Sequence, residues 1–413
     1  MNIVILGAGV AGVSSAYFLR KLGHRVTVID RQPAVALEGS RAVGGQLSFG
    51  AVAPWASPAL PWAAWRWLLR QQRAPVAGRW GVAAASWRWF WALFQHCRRA
   101  PYQRNHDDLL RLADYSQALF EQLDREEALR FDQQPCGSLQ IFRHLRSISE
   151  AEIFMDLLND YDIPFELLTP SQCQAREPSL PPNKIAGAIY LPRDWRGSCY
   201  LFSQQLAERA RARGVEFIFG RSVSGLETRK GKVVAVQVGG ERFLGDVFLV
   251  CLGAGTRPLL ATAGLNAPLL TVKSYSLTLP ISDWKLVPQL NIIDPDYQVA
   301  ISRIGGQLRV SGFAGLGEGD YDSRARNLLE WVLRDLNPQG ADSYQGHLNG
   351  GHYALTPSQV PLVGGTRWVN LFVNAGHGHW GWPLSLGSAR LVADLIHGYE
   401  TDIPWPEKVP ALL

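Results

Sequence analysis

The first regular signal along the chain is a short apolar, β-branched run over residues 2–6 (N-I-V-I-L), the pattern of a buried parallel strand. It leads directly into Gly7-Ala8-Gly9-Val10-Ala11-Gly12. Ala16, Leu19 and Leu22 then recur at helical spacing over 13–22. Gly23 stops that helix, and a second buried-strand run over 26–29 ends at Asp30. Similar runs occupy 246–252 and 371–375, the latter followed by a helix over 385–396. Leu109, Leu112, Leu119 and Leu123 predict an amphipathic helix over 107–129, and 202–213 predicts another, followed by a strand over 215–219. Alternation predicts strands at 233–238, 272–279 and 297–302. Residues 178–182 (P-S-L-P-P) read as a connection returning to the first unit. The Gly-rich stretch 315–320 reads as a turn, because Glu318 and Asp320 would repel a phosphate and no helix is expected to begin there.

Strand, glycine turn, helix, second strand and terminal acid are in register, which makes a complete βαβ dinucleotide fingerprint. Gly7 permits the tight turn, Gly9 lets backbone approach a diphosphate, and Gly12 lets helix and strand pack closely. The helix start at Val10 and Ala11 supplies unpaired N–H groups and the positive end of the dipole. Asp30, 23 residues after Gly7, is placed to accept from ribose hydroxyls. The motif alone does not separate FAD from NAD. Three later features favour FAD: Gly44-Gly45-Gln46, the strand run ending in Gly253-Ala254-Gly255, and the run ending in Gly376-His377-Gly378-His379-Trp380-Gly381. No second complete GxGxxG unit is present to hold a nicotinamide coenzyme, which argues against a flavin monooxygenase.

A chain of 413 residues exceeds one compact core. The expected division is a Rossmann-like α/β dinucleotide domain from 1–60, 183–268 and 346–413, interrupted by a second, α+β domain from 61–182 and 269–345. The net charge of +5 is modest, but its distribution is not: 39–106 holds nine Arg and no Asp or Glu. Eight of the fifteen Trp fall between 55 and 91, in helix-compatible stretches too short to cross a bilayer. Two readings stand, aromatic packing within the second domain or an interfacial membrane contact through 55–99. The absence of acids favours the membrane contact. No nucleic-acid module is recognised. The five cysteines are odd in number and lack CxxC spacing, so no metal site or disulfide framework is expected. The chain opens on a strand without a signal-peptide pattern, which fits a cytoplasmic protein, peripheral on the inner face of the cell membrane.

The residues Val4-Ile5-Leu6-Gly7, Val26-Thr27-Val28-Ile29-Asp30-Arg31, Gly45-Gln46, Ala53-Pro54-Trp55, Arg196-Gly197-Ser198-Cys199, Tyr275-Ser276-Leu277-Thr278, Ala300-Ile301-Ser302-Arg303 and Gly376-His377-Gly378 together resemble the DAO-type family of FAD oxidoreductases, most closely its bacterial dehydrogenase branch. The resemblance implies a discontinuous FAD domain beside a substrate domain on a mostly antiparallel sheet. It implies oxidation of the C–N bond of a D-amino acid or related small amine by hydride transfer to the flavin, giving an imine that water hydrolyses, with a quinone-type acceptor. An oxygen-using amine, glycine or sarcosine oxidase is the alternative, and an FAD-binding scaffold without turnover is a remote one. Expected cofactor contacts are Gly7, Gly9, Val10, Ala11, Gly12, Asp30, Arg31, Ser40, Gly44, Gly45, Gln46, Val223, Gly253, Ala254 and 376–381. Nothing in the sequence fixes the oligomeric state.

One segment departs from the family pattern. Where related sequences carry G-L-R-P before a T-P-D-G-x-P turn, this chain reads Gly351-His352-Tyr353-Ala354 before Thr356-Pro357-Ser358-Gln359-Val360-Pro361. Tyr353 stands in place of the Arg that the family uses to clamp a substrate carboxylate, and a phenol cannot replace a bidentate guanidinium. Either another cation has taken over or the substrate lacks a carboxylate there. Arg303 is the nearest cation by family position, and it reads equally as a structural residue of its sheet. His377 is expected beside the flavin, and His379, His352 and Tyr353 are expected to form a polar pocket for the amine.

Overall fold

The computed structural model describes residues 1–69, 74–78, 86–317, 319–336 and 346–412, the side chains of 66–69 excepted. Its centre is a six-stranded sheet in the order Glu216–Ile218, Arg25–Ile29, Asn2–Leu6, Val247–Val250, Leu371–Ala375 and Leu362–Gly365. The first five strands are parallel and the last is antiparallel. Within Asn2–Leu6, residues 3–6 are apolar because both their faces are covered, while Asn2 at the start is exposed. Ile3 and Ile5 pack with Val13, Leu206 and Leu391 of the helices Val10–Lys21, Cys199–Ala212 and Ser385–His397. Val4 and Leu6 pack instead with Val236 and Leu226 of a three-stranded antiparallel layer, Val223–Arg229, Lys232–Val238 and Glu241–Phe243.

The second sheet runs His347–Leu355, Leu270–Pro280, Gln307–Leu316, Val299–Ile304, Asn291–Asp294, Ser138–Phe142, Gly187–Leu191 and Glu166–Leu168, with Val76–Gly78 beside Gln307–Leu316. It is mostly antiparallel. Gly187–Leu191 and His347–Leu355, inside ranges expected for the dinucleotide unit, pair into this sheet. The residues 178–182 therefore lead to another strand of the substrate sheet, and the chain returns to the dinucleotide layer only at Cys199–Ala212. Ile189 and Leu191 are held there by Ala51, Phe142 and Phe154.

Two helices differ from expectation. Arg99–Glu127 begins eight residues before the predicted start and ends at Ala128 in the left-handed conformation, φ +48°. The turn reading of 315–320 needs correction: the strand Gln307–Leu316 reaches into it, and the helix Asp322–Leu336 begins just beyond it. Ala325, Leu328, Leu329, Val332, Leu333 and Leu336 form the apolar stripe that docks this helix on the sheet.

The tryptophan segment divides between its two readings. Trp89 and Phe90 pack inward against Leu270 and Leu355, and Trp89 Nε1 donates to the carbonyls of Pro268 and Leu355, each at 3.2 Å. On the same helix, Trp87–His96, Trp87, Trp91 and Phe94 are 59%, 63% and 56% exposed. Trp62 and Trp65, on Leu60–Leu69, are also exposed and stack at 4.9 Å. Residues 70–73 and 79–85, with Arg70, Arg73, Arg79 and Trp80, lie outside the described residues, as do Glu318 and the side chains of Arg66 and Trp67. Among the described residues, no helix is long and apolar enough to cross a membrane.

Phe202, fully buried, has its ring 5.0 Å from Phe120, 5.2 Å from Phe131 and 6.3 Å from Trp382, joining the helices Cys199–Ala212 and Arg99–Glu127 to the loops at 131 and 382. Phe202→Ala is expected to cost about 3–5 kcal/mol. Chemical denaturation of the flavin-loaded protein checks this.

Candidate active site

The two sheets enclose a cavity of about 740 Å³ that runs from the glycine turn to the 376–381 segment. At the first end, Gly7 has φ +105°, and a Cβ there would stand 2.4 Å from the Cys251 carbonyl oxygen. A Cβ on Gly12 would stand 1.9 Å from the Gly7 carbonyl oxygen, so no other residue lets the helix approach its strand this closely. Gly9 is the N-cap of Val10–Lys21. No side chain of its own caps the helix, and the first turn carries no acid. The Val10 N–H donates to Ser40 Oγ at 3.0 Å. Gly9, Val10, Ala11 and Ser40 all line the cavity.

Asp30 lines the same end, but it also serves the turn itself. Its Oδ2 accepts from the Ala8 N–H at 2.6 Å and its Oδ1 from the Gln32 N–H at 2.8 Å, leaving one lone pair on each oxygen for a ribose. Burial raises its pKa, against the pull of those two amides. Arg31 is held by Glu38, with Nη2 2.9 Å from Oε2. Among the described residues, Arg31 is the only Lys or Arg lining the cavity.

Midway, a Cβ on Gly44 would stand 2.0 Å from Ser311 Oγ, and one on Gly45, at φ +94°, would stand 2.2 Å from Ile304 Cδ1. Gly253, at φ +53°, has nothing within 4 Å of where a Cβ would stand and borders the cavity with Ala254 and Val223. Gln46 Nε2 is buried without a partner on the cavity wall. Bare backbone at Gly9 and Gly253 and an unpartnered buried amide at Gln46 are what a long planar dinucleotide requires of its cradle. The residues present fit FAD.

At the far end, His377 is 7% exposed and its Nε2 lies 2.9 Å from Ser388 Oγ, on the helix Ser385–His397. Burial pushes its pKa down to about 4. His379 is half-buried. Its ring stacks on Trp55 at 5.1 Å and 22°, its Nδ1 has no partner, and burial pushes its pKa down to about 3. Trp380 Nε1 donates to the Ala53 carbonyl at 2.9 Å.

The expected polar pocket of His379, Tyr353 and His352 forms only in part. Neighbouring residues on a strand point to opposite faces. Tyr353 packs with Trp55, Trp89 and Phe90 against Leu270 and Leu355, where burial raises its phenol pKa. His352 is exposed and sits among Lys273, Glu38 and Arg31, at the other end of the cavity. Arg303 lies off the cavity wall. Its Nη1 donates to Gln289 Oε1 at 2.6 Å and its guanidinium sits 4.9 Å over Trp284, so the structural reading describes its position. Ser302 takes the buried face, its Oγ donating to Asn291 Oδ1 at 2.9 Å. Gly12 and Gly45 support the wall from behind it.

Several residues escaped the sequence reading. Asn374 is buried on the cavity wall, donating to Ser15 Oγ at 3.1 Å with its Oδ1 unpartnered. Asp194 is buried behind the 48–55 wall and accepts from the Gly50 N–H at 3.1 Å, and burial pushes its pKa up to about 7. Gln359, 2% exposed, reaches Trp55. Asp194 and Gln359 gave no signal, because each acts through a backbone amide far away in sequence. Asn374 was detectable as the polar residue in an otherwise apolar strand.

The pattern that defines the DAO family, FAD dependent oxidoreductase, matches residues 2–395, and the chain belongs to that family. It is 39% identical to the D-amino acid dehydrogenase of Neisseria meningitidis over 98% of this chain and 97% of that protein. Identity to the D-amino acid dehydrogenase of Neisseria gonorrhoeae is 38%, with the same coverage. Among solved structures, glycine oxidase from Geobacillus kaustophilus superposes with a TM-score of 0.77 at 20% identity, covering 98% of this chain and 97% of that one. L-proline dehydrogenase from P. horikoshii superposes with a TM-score of 0.71 at 16% identity, covering 99% and 95%. The structural likenesses establish the fold, a flavin domain joined to a substrate domain.

His377 folds with a pKa near 4 against an ordinary 6.5, so its neutral burial is fully compatible with folding above pH 6.5. Stability is then lost as pH falls from 6.5 toward 4. The melting temperature of the flavin-loaded protein is expected to drop through that window. His377→Gln, which can keep the bond to Ser388, should flatten part of the drop.

Proposed function

We propose that this protein is an FAD-dependent dehydrogenase that oxidises the C–N bond of a D-amino acid and passes the electrons to a quinone-type acceptor. The observation that carries the reading is a cavity that joins a dinucleotide cradle to an aromatic, histidine-bearing pocket. It occurs in a chain that aligns from end to end with D-amino acid dehydrogenases. FAD, when bound, supplies the hydride acceptor. The chain's own residues bind and orient. Gly9, Val10, Ala11 and Ser40 would hold the diphosphate, and Asp30, which holds the turn, would also hold the ribose. Gln46, Gly253 and Asn374 would line the flavin, and the 376–381 segment would close the substrate side.

The substrate amine must react in its neutral form. His379, stacked on Trp55 and kept neutral by burial, is too weak a base to take that proton, which leaves to water. A neutral His377 and His379 also leave the pocket without a positive charge that would repel an incoming ammonium group. Apolar walls from Ala51, Ala53, Pro54 and Trp55 exclude water from the reacting bond.

The exposed Trp62, Trp65, Trp87 and Trp91, with Arg88, Arg98 and Arg99 nearby, form the contact with an anionic membrane surface, on its cytoplasmic side. Leu60 and Ala63 on the same helix as Trp62 line the cavity, which puts its wall beside a lipid-dissolved acceptor.

Anaerobic addition of D-amino acids is expected to bleach the flavin while L-enantiomers leave it oxidised. Steady turnover should reduce a quinone-like dye without stoichiometric peroxide. Peroxide matching substrate consumption would instead assign an oxidase. Cosedimentation with vesicles containing phosphatidylglycerol is expected to fall about tenfold in Trp87→Ala/Trp91→Ala. Equal binding by wild type and variant would remove this face from the membrane contact.

A further inference from the structure

The turn 356–361 follows the strand His347–Leu355 and packs directly beneath the histidine segment. A Cβ on Gly376 would stand 3.0 Å from Thr356 Cγ2, and one on Gly378 would stand 2.5 Å from Leu355 Cδ2. Within this turn Gln359 adopts φ +66°, the left-handed region that side-chain-bearing residues occupy at a cost. It is also 2% exposed. A long polar side chain is thus both strained and removed from water, in a turn that closes without it. The Gln359 N–H donates to the Thr356 carbonyl at 3.3 Å, and Thr356 Oγ1 donates to the Val360 carbonyl at 2.9 Å. The Gln359 Nε2 gains nothing, being buried without a partner. What the side chain does make is one bond: its Oε1 accepts from the Trp55 N–H at 2.7 Å.

Trp55 belongs to the cavity wall, and its indole stacks on His379. His379 in turn leans on Trp380 at 4.5 Å, and Trp380 Nε1 donates to the Ala53 carbonyl. The segment 53–55 is therefore fastened to the histidine segment at the Ala53 carbonyl and the ring stack, and to the turn beneath it at the Trp55 N–H. Strain maintained at a buried position next to a site points to a role in that site's geometry.

We infer that Gln359 is a positioning residue that fixes Trp55 as a flat wall of the substrate pocket, and that the Trp55–His379 pair selects amino acids with large planar apolar side chains over small ones. The reaction assumed is the amino-acid dehydrogenation proposed above; the wall itself does not depend on it. An indole stacked on an imidazole offers a broad apolar face to an aromatic side chain and little to a methyl group. Tyr353, Tyr102 and Phe154 extend the aromatic lining of the same cavity. Because 53–55 is tied at both its carbonyl and amide, the wall cannot swing aside to admit substrates indifferently.

The flavin-loaded wild type, Trp55→Ala, Trp55→Phe and Gln359→Gly are compared with D-phenylalanine and D-alanine as substrates. Phenylacetate and acetate serve as unreactive ligands, read by the flavin absorption band. The wild type is expected to favour D-phenylalanine in kcat/KM by about tenfold or more. Trp55→Ala should bring that ratio near one, and Trp55→Phe should keep most of it. Gln359→Gly relieves the left-handed strain, so its melting temperature should hold or rise with FAD fully bound. Its KM for D-phenylalanine should nonetheless rise several-fold more than that for D-alanine, with kcat changing less than KM. A wild type without preference, or a Gln359→Gly with unaltered KM values, overturns the inference. If no D-amino acid reduces the flavin, the dehydrogenase reading fails by itself and the unreactive ligands decide. Phenylacetate binding tighter than acetate, and losing that advantage in Trp55→Ala, supports the wall; equal binding in the wild type overturns it.

Discussion

The helix Val10–Lys21 starts against the wall of the central cavity with no acid in its first turn and only the Ser40 hydroxyl meeting its first amide. Such a start has its dipole and unpaired N–H groups directed at whatever fills the cavity, and a diphosphate is the group that satisfies both. The rest of the architecture follows from holding that helix end in place. Gly7 and Gly12 bring helix and strand into contact, and Asp30 ties the turn to the next strand through the Ala8 amide. The parallel sheet, buried on both faces, keeps the turn rigid. Much of the wall is therefore backbone, as the approach of a flat, charged dinucleotide requires.

The other end of the cavity is built differently. There the walls are rings and carboxamides, positioned by bonds between segments hundreds of residues apart, Trp380 to Ala53 and Gln359 to Trp55, and by the shorter-range bond of His377 to Ser388. Both titratable rings of the histidine segment are kept neutral by burial. The arrangement suits the orientation of a neutral amine against a flavin, with little proton chemistry asked of the protein. Tyr353 is accommodated in the same way, packing like Trp55 and Trp89 against the apolar cluster of Leu270, Val272, Ala314 and Leu355.

The dinucleotide half was legible in the sequence because its determinants are local. Residues 2–30 contain strand, glycine turn, helix, strand and acid in a single stretch, and the later strand runs at 246–252 and 371–375 are apolar enough to announce burial. The substrate half was less legible because its sheet is assembled from distant strands. Gly187–Leu191 and His347–Leu355 carry no mark of which sheet they will join. The helix Asp322–Leu336 is hard to read from sequence although its apolar stripe is regular, because the glycine-rich stretch just before it carries a turn signal of its own. Adjacency in sequence groups His352 with Tyr353, but strand alternation sends them to different surroundings. Sequence position points to Arg303 as a pocket cation, while Gln289 and Trp284 decide where it lies.

The most direct test of the account is the flavin content of the purified protein, measured by its visible absorption and by titration with FAD. A yellow protein that binds a single FAD per chain is predicted, with Gly12→Val colourless because its side chain would occupy the space of the Gly7 carbonyl. A colourless wild type that takes up no added FAD, or a Gly12→Val variant that binds FAD as well as the wild type, would contradict it.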